Sequence, residues 1–286
     1  MDKIFDISNI NSIPKDSYAV LGSPIAHSMS PQLFKHITKS DNYCRVFIQP
    51  EELEDAISIL NDRLCGYNVT IPFKSKITKY IDIHDATAKL YGTVNTVKVF
   101  DGKTYGYSTD GIGFRNALKQ RNILLDNSSV LILGAGGVSR VMAYECAKAN
   151  CDITIVARNN DKASILITEV KSVFSNTEIR YERNINEYNR YDLLLNGTPV
   201  GMFPSIDFMP IAEENFAQFG AIYDTVYNPN PTKLIKCATN RGIIASSGLN
   251  MLVLQAIESV KIWQNKNYEC NVDEIINLLA KEMKSK

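Results

Sequence analysis

A lysine does acid–base chemistry only where its neighbours fix its position, and GYNVTIPFK (66–74) supplies the start of such a frame around Lys74. In an extended segment Asn68 and Thr70 share one face while Tyr67, Val69 and Ile71 share the other. Pro72 ends the strand and is suited to opening a helix. An isolated lysine is ordinarily just solvated, so Lys74 needs a partner. GYSTDGIGF (106–114) offers one: Asp110 stands at a loop-to-helix junction, a common capping position. A carboxylate beside Lys74 would hold its ammonium in place and charged, as proton transfer requires. GSPIAHSMSP (22–31) sets Ser23, Ser28 and Ser30 between a strand and a proline-started helix, where hydroxyls and N–H groups can grip a carboxylate. Gln255, four residues after Met251, puts an amide on an otherwise apolar helix face.

A second kind of chemistry is written in VLILGAGGVSR (130–140), an apolar strand, a glycine turn and a helix start. Gly134 suits the tight turn and Gly136 the close approach of backbone to a pyrophosphate. The helix beginning after Gly137 offers free N–H groups at its positive end. Ser139 takes the third position of the glycine pattern, and the strand and helix around it are the context that gives the pattern meaning. The next strand ends at Arg158 with no carboxylate before Asp161. A carboxylate there would favour NAD, whereas a guanidinium fork suits the 2′-phosphate of NADP.

These groups need elements to carry them. YAVLG (18–22), CRVFIQ (44–49) and GYNVT (66–70) read as strands, and 31–40 and 50–60 as helices opened by proline. TVKVF-DGK-TYGY (96–107) reads as a hairpin about Asp101-Gly102. From Ser128 onward a second series alternates: strands at 128–133, 151–158, 191–199 (running into a loop) and 220–229, helices at 137–150, 160–174 and 231–242. Helices at 248–263 and 271–283 close the chain. Alternation of this kind implies parallel sheets covered on both faces, and a length of 286 residues implies two domains. The segment before Tyr18 reads as an arm with no assigned role.

Lys plus Arg balance Asp plus Glu at 31 each, which provides no overall field for nucleic acid or an anionic membrane. Three histidines (His27, His36, His84) without ligand spacing argue against a metal site. An acid-bearing N-terminus without a long apolar run, and six cysteines without C-x-x-C spacing, suggest reduced core thiols in a cytoplasmic protein.

Taken in order, GSPIAHSMSP, GYNVTIPFK, GTVNT (92–96), STDGIG (108–113), GAGGVSR, NGTPVGM (196–202), YDTVYNPNPTKL (223–234) and GLNMLVLQA (248–256) resemble the shikimate dehydrogenase family across about Tyr18 to Trp263. The resemblance implies an α/β fold. An N-terminal α/β substrate-binding domain (1–109 and 249–286) would accompany a Rossmann-like NADP-binding domain (110–248), the C-terminal helix packing back on the first. It implies reversible reduction of 3-dehydroshikimate to shikimate, a step toward chorismate and the aromatic amino acids. NADP (NADPH) would be the cofactor, with NAD possible.

The resemblance casts Lys74 and Asp110 as the catalytic pair, and Ser28, Ser30, Thr70, Asn95, Tyr227 and Gln255 as substrate contacts. Gly134, Ala135, Gly136, Gly137, Val138 and Arg158 would hold the cofactor, with Thr225 and Gly248 on its nicotinamide side. The partner is a small molecule, with no nucleic acid or membrane, and the assembly a monomer or homodimer. The chain departs from the family pattern at Ser108 (usually Asn), at Asn159 (usually Thr) and in NGTP, with Gly197 and Pro199. The missing threonine at 159 keeps open an NAD-accepting quinate/shikimate paralogue. A nucleotide-responsive regulator without catalysis is a further alternative, which the intact Lys74 and Asp110 argue against.

Overall fold

The computed structural model describes residues 3–186 and 188–284, which divide into two compact units. The first comprises Met1–Asp110 with Gln255–Lys286, and the second Gly111–Leu254.

The sheet of the first unit contains β1 (Ile4–Phe5), β2 (Ser17–Gly22), β3 (Tyr43–Phe47), β4 (Leu64–Val69), β5 (Ile83–His84), β6 (Thr96–Phe100) and β7 (Lys103–Tyr107). Their order is β1-β3-β2-β4-β6-β7-β5. β1 to β4 pair in parallel, while β6 runs antiparallel to both β4 and β7, so the sheet is mixed rather than wholly parallel. For the β6–β7 pair the reason is local. Asp101 and Gly102 both take positive φ, 51° and 67°, and close the two-residue hairpin, which reverses the chain where a helical crossover would have kept it parallel.

The helices here are α1 (Ser30–Thr38), α2 (Leu53–Arg63) and α3 (Ala86–Tyr91). α2 is preceded by a 3-10 turn at Pro50–Glu52, where the helix was expected to begin. α3 carries no apolar period long enough to announce it in sequence, and Asp85 caps it.

Three expectations fail. Pro72 does not open a helix. Phe73 is fully buried and drives the chain through turns into the core, the next helical residues being the 3-10 turn Ile77–Tyr80. Ile71 leaves the face it was expected to share with Tyr67 and Val69 and stands 72% exposed. Nor is the segment before Tyr18 a loose arm: β1 pairs with β3, and Phe5, Ile10 and Ile13 join the core. Apolar burial anchors it.

Gly66 on β4 lies against Trp263 in the C-terminal part of the chain. A β-carbon there would come within 2.4 Å of the Trp263 indole and 2.8 Å of the Val97 carbonyl. Trp263 meanwhile donates its indole N–H to that same carbonyl at 2.8 Å. Gly66→Ala must displace the indole and break this bond, and we expect a loss of about 3 kcal/mol, read from chemical denaturation midpoints. An unchanged midpoint would show that the indole can shift freely.

The second unit begins with α4 (Asp110–Gln120), whose first residue belongs to the first unit, and contains β8 (Ser129–Leu133), α5 (Gly137–Lys148), β9 (Asp152–Val156), α6 (Asn160–Val173), β10 (Ile179–Glu182), β11 (Tyr191–Asn196), β12 (Phe219–Asp224), α7 (Lys233–Asn240) and β13 (Ile244–Ser247). All strand pairs are parallel, in the order β10-β9-β8-β11-β12-β13. With β8 first, that is the 3-2-1-4-5-6 order of dinucleotide-binding sheets, which reverses direction beside the strand carrying the glycine turn. α8 (Leu249–Gln264) spans the unit boundary, and α9 (Val272–Lys284) follows.

All six cysteines are free thiols; Cys44, Cys146 and Cys151 are buried, but Cys65, Cys237 and Cys270 are only half-buried, outside the core expected for them. Among the described residues no group of His, Cys, Asp and Glu could hold a metal ion, and no helix is long and apolar enough to cross a membrane.

Candidate active site

Lys74, past the end of β4, donates to Asp110 Oδ2 at 2.6 Å. Asp110 is the first residue of α4 rather than its N-cap. Its other oxygen, Oδ1, accepts from Asn95 Nδ2 at 2.9 Å. The carboxylate is therefore gripped from both sides, by a cation and by an amide. Asn95 itself has a defined orientation, because its Oδ1 accepts from the backbone N–H of Thr109 at 2.9 Å and so its Nδ2 must face Asp110. Asn95 is 3% exposed, while the Lys74 and Asp110 side chains are 32% and 15% exposed. The pair thus stands at the rim of a buried network, with its ammonium reachable from outside.

The network extends inward. Thr96 Oγ1 donates to Asn95 Oδ1 at 3.0 Å and lies 2.8 Å from Ser259 Oγ. Thr109 Oγ1 lies 3.3 Å from Gln255 Oε1. Asn68 Nδ2 is shared between the Asn95 carbonyl at 3.0 Å, Thr96 Oγ1 at 3.1 Å and Ser259 Oγ at 3.2 Å. Tyr43 donates its hydroxyl to Asn68 Oδ1 at 2.8 Å and also reaches Ser30. Burial pushes the Tyr43 hydroxyl well above its ordinary range, the hydrogen bond with Ser30 opposing this. Ser30 in turn accepts from Ser28 Oγ at 3.2 Å. One chain of polar contacts runs from Ser28 to Lys74. Networks that satisfy every member are rigid, which suits a site whose groups must not wander.

Asn68 points into this network. Thr70 sets its methyl where a β-carbon on Gly22 would come within 2.6 Å, so the two motifs GSPIAHSMSP and GYNVTIPFK meet through a position only glycine fits. Tyr43, Thr96, Thr109 and Ser259 were not singled out in the sequence. Ser259 had a readable signal, lying four residues after Gln255 on the same helix face. Tyr43 had little, because an aromatic residue in a strand usually packs.

The second unit holds the remaining predicted residues. Gly134 takes φ +93°, and a β-carbon at Gly136 or Gly137 would meet nothing within 4 Å. α5 begins at Gly137 with Gly136 as N-cap, and no side chain caps its first N–H groups. A helix start of this kind, approached through glycines, could hold an anion such as a pyrophosphate. Arg158 follows β9 and is exposed, and β9 lies alongside β8 with Val156 opposite Leu133. Asn159, where a hydroxyl was expected, spends its side chain on capping α6 by accepting from Lys162 N at 2.9 Å.

Gly197 and Ser139 explain each other: a β-carbon on Gly197 would clash with Ser139 Oγ, so a serine in the third glycine position is accommodated by the missing side chain opposite. A β-carbon on Gly248 would run into the Thr225 carbonyl, so only glycine fits there. Behind these loops Asp224, fully buried, accepts from Asn196 Nδ2 at 2.8 Å, Thr232 Oγ1 at 2.6 Å and Val226 N at 3.1 Å. Burial pushes its carboxyl upward against those bonds. Tyr227, half-buried, follows β12, and burial raises its hydroxyl too.

A family model for the shikimate dehydrogenase substrate binding domain matches residues 20–97. The shikimate dehydrogenase (NADP(+)) of Methanococcus maripaludis strain C6 is 38% identical over 254 residues, which cover 86% of this chain and 91% of that protein. A crystal structure of a shikimate dehydrogenase in complex with NADP+ is similar with a TM-score of 0.85 at 33% identity, covering 94% of this chain and 96% of the other. The enzyme of Thermus thermophilus, solved with NADP(H) and shikimate, is similar with a TM-score of 0.82 at 28% identity, covering 94% and 99%.

Proposed function

The chain belongs to the shikimate dehydrogenase family, and on that premise we propose that it catalyses the reversible, NADPH-dependent reduction of 3-dehydroshikimate to shikimate. The observation that carries this reading is the 2.6 Å contact of Lys74 with an Asp110 carboxylate held on its other side by Asn95. Reducing a ketone leaves negative charge on its oxygen. Lys74 stabilises that charge and delivers the proton, while Asp110 keeps the ammonium aimed. Ser28 and Ser30 receive the substrate carboxylate; Thr70, Asn95 and Gln255 meet the ring and its hydroxyls, and Tyr227 is assigned to the substrate as well. Bound NADPH supplies the hydride. Gly134 to Val138 would hold its pyrophosphate and Arg158 its 2′-phosphate, with Thr225 and Gly248 on the nicotinamide side. In this reading Met1–Asp110 with Gln255–Lys286 is the substrate unit and Gly111–Leu254 the cofactor unit.

An NAD-accepting quinate/shikimate paralogue is the second reading, supported by Asn159, whose side chain caps α6 where the family offers a phosphate-binding hydroxyl. Initial rates at the NADPH absorbance band, with shikimate or quinate and with NADP or NAD, test both. We expect kcat/KM to be highest for shikimate with NADP. A higher value for NAD or quinate selects the paralogue, and no turnover with any pair refutes the enzyme.

A further inference from the structure

Arg45 lies on β3 and is 2% exposed. Guanidinium groups are seldom buried without a task. Its Nε and Nη2 both donate to the carbonyl oxygen of Ser28, at 3.0 and 2.7 Å, and Nη2 donates also to Gln32 Oε1 at 3.2 Å. One side chain therefore holds the serine loop at Ser28 and the first turn of α1 at Gln32. Two donors on one oxygen stop the Ser28–Met29 peptide from rotating. In a trans peptide the N–H points opposite to the C=O, so the Met29 N–H faces away from the guanidinium, whose charge also strengthens it as a donor. Tyr43, two residues earlier and on the same face of β3, reaches Ser30 and feels the positive charge of Arg45. Thus β3 supports both serines, Ser28 through Arg45 and Ser30 through Tyr43.

We propose that Arg45 is a positioning residue for the substrate carboxylate: it fixes the serine loop in its anion-binding form, so that the chain prefers a carboxylate-bearing ring to the same ring with a neutral substituent. This rests on the reading above in which Ser28 and Ser30 receive that carboxylate.

The test compares shikimate with its uncharged methyl ester on the full-length chain, the ester being read as an inhibitor if it is not turned over. Arg45→Met should raise KM for shikimate about 10–100-fold, the effect of losing one charge-assisted hydrogen-bonding group. kcat, KM for NADP and the ester's kcat/KM or inhibition constant should stay within about threefold. Arg45→Lys, which keeps the charge without the fork, should fall between. A purely structural role would weaken acid and ester alike, so equal losses overturn the proposal, as does an unchanged KM for shikimate. Should Arg45→Met not fold, Arg45→Lys decides by the same comparison. Should the wild type not oxidise shikimate, the proposed function fails separately, and calorimetric titration with shikimate decides Arg45: binding lost in Arg45→Met supports its role, and equal or absent binding overturns it.

Discussion

Lys74→Ala should lower kcat for shikimate oxidation by about 10²–10⁴-fold, the range supplied by a positioned proton donor, and leave KM for NADP nearly unchanged. The split follows from where Lys74 sits. It is bonded to Asp110 in the first unit, whereas the glycine turn and Arg158 lie in the second. Alanine removes the only part of Lys74 that reaches Asp110 and leaves the carboxylate still held by Asn95 at 2.9 Å. Because the Lys74 side chain is 32% exposed, its loss opens no core cavity, so stability should change little and the kinetic effect can be read directly. Stopped-flow rates at the NADPH band with shikimate in excess measure it, and an unchanged kcat would remove Lys74 from the reaction.

The second large effect concerns the cofactor. Arg158→Ala should reduce kcat/KM for NADP by about 10–100-fold and leave that for NAD nearly unaltered, as expected for one charge-assisted pair to a phosphate that NAD lacks. With Asn159 committed to capping α6, this position cannot supply the hydroxyl that usually shares the phosphate, so more of the discrimination should fall on the guanidinium. The ratio of the two kcat/KM values is the readout, and an equal fall with both cofactors would place Arg158 outside phosphate recognition.

How much of this was legible beforehand differed by residue for physical reasons. The glycine turn was readable because strand, turn and helix start are contiguous, and its backbone adopts the expected positive φ at Gly134. The hairpin at Asp101-Gly102 was readable for the same reason. The contact between Asn68 and Ser259 spans 191 positions, and no local pattern announces it. Nothing in the strand 44–49 sets Arg45 apart, and only the fold shows its fork closing on Ser28. β10 (Ile179–Glu182) and β13 (Ile244–Ser247) passed unnoticed because they are short strands on the edges of the sheet, held more by their neighbours than by their own pattern. Pro72 misled because proline permits a helix start without requiring one, and burial of Phe73 decided the path.

A crystal structure of the chain soaked with shikimate tests the assignment most directly. We expect the Lys74 ammonium and the Asp110 carboxylate within hydrogen-bonding distance of the hydroxyl that is oxidised, with the ring carboxylate on Ser28 and Ser30. Shikimate bound with that hydroxyl turned away from Lys74, or bound away from the serine loop, would contradict it.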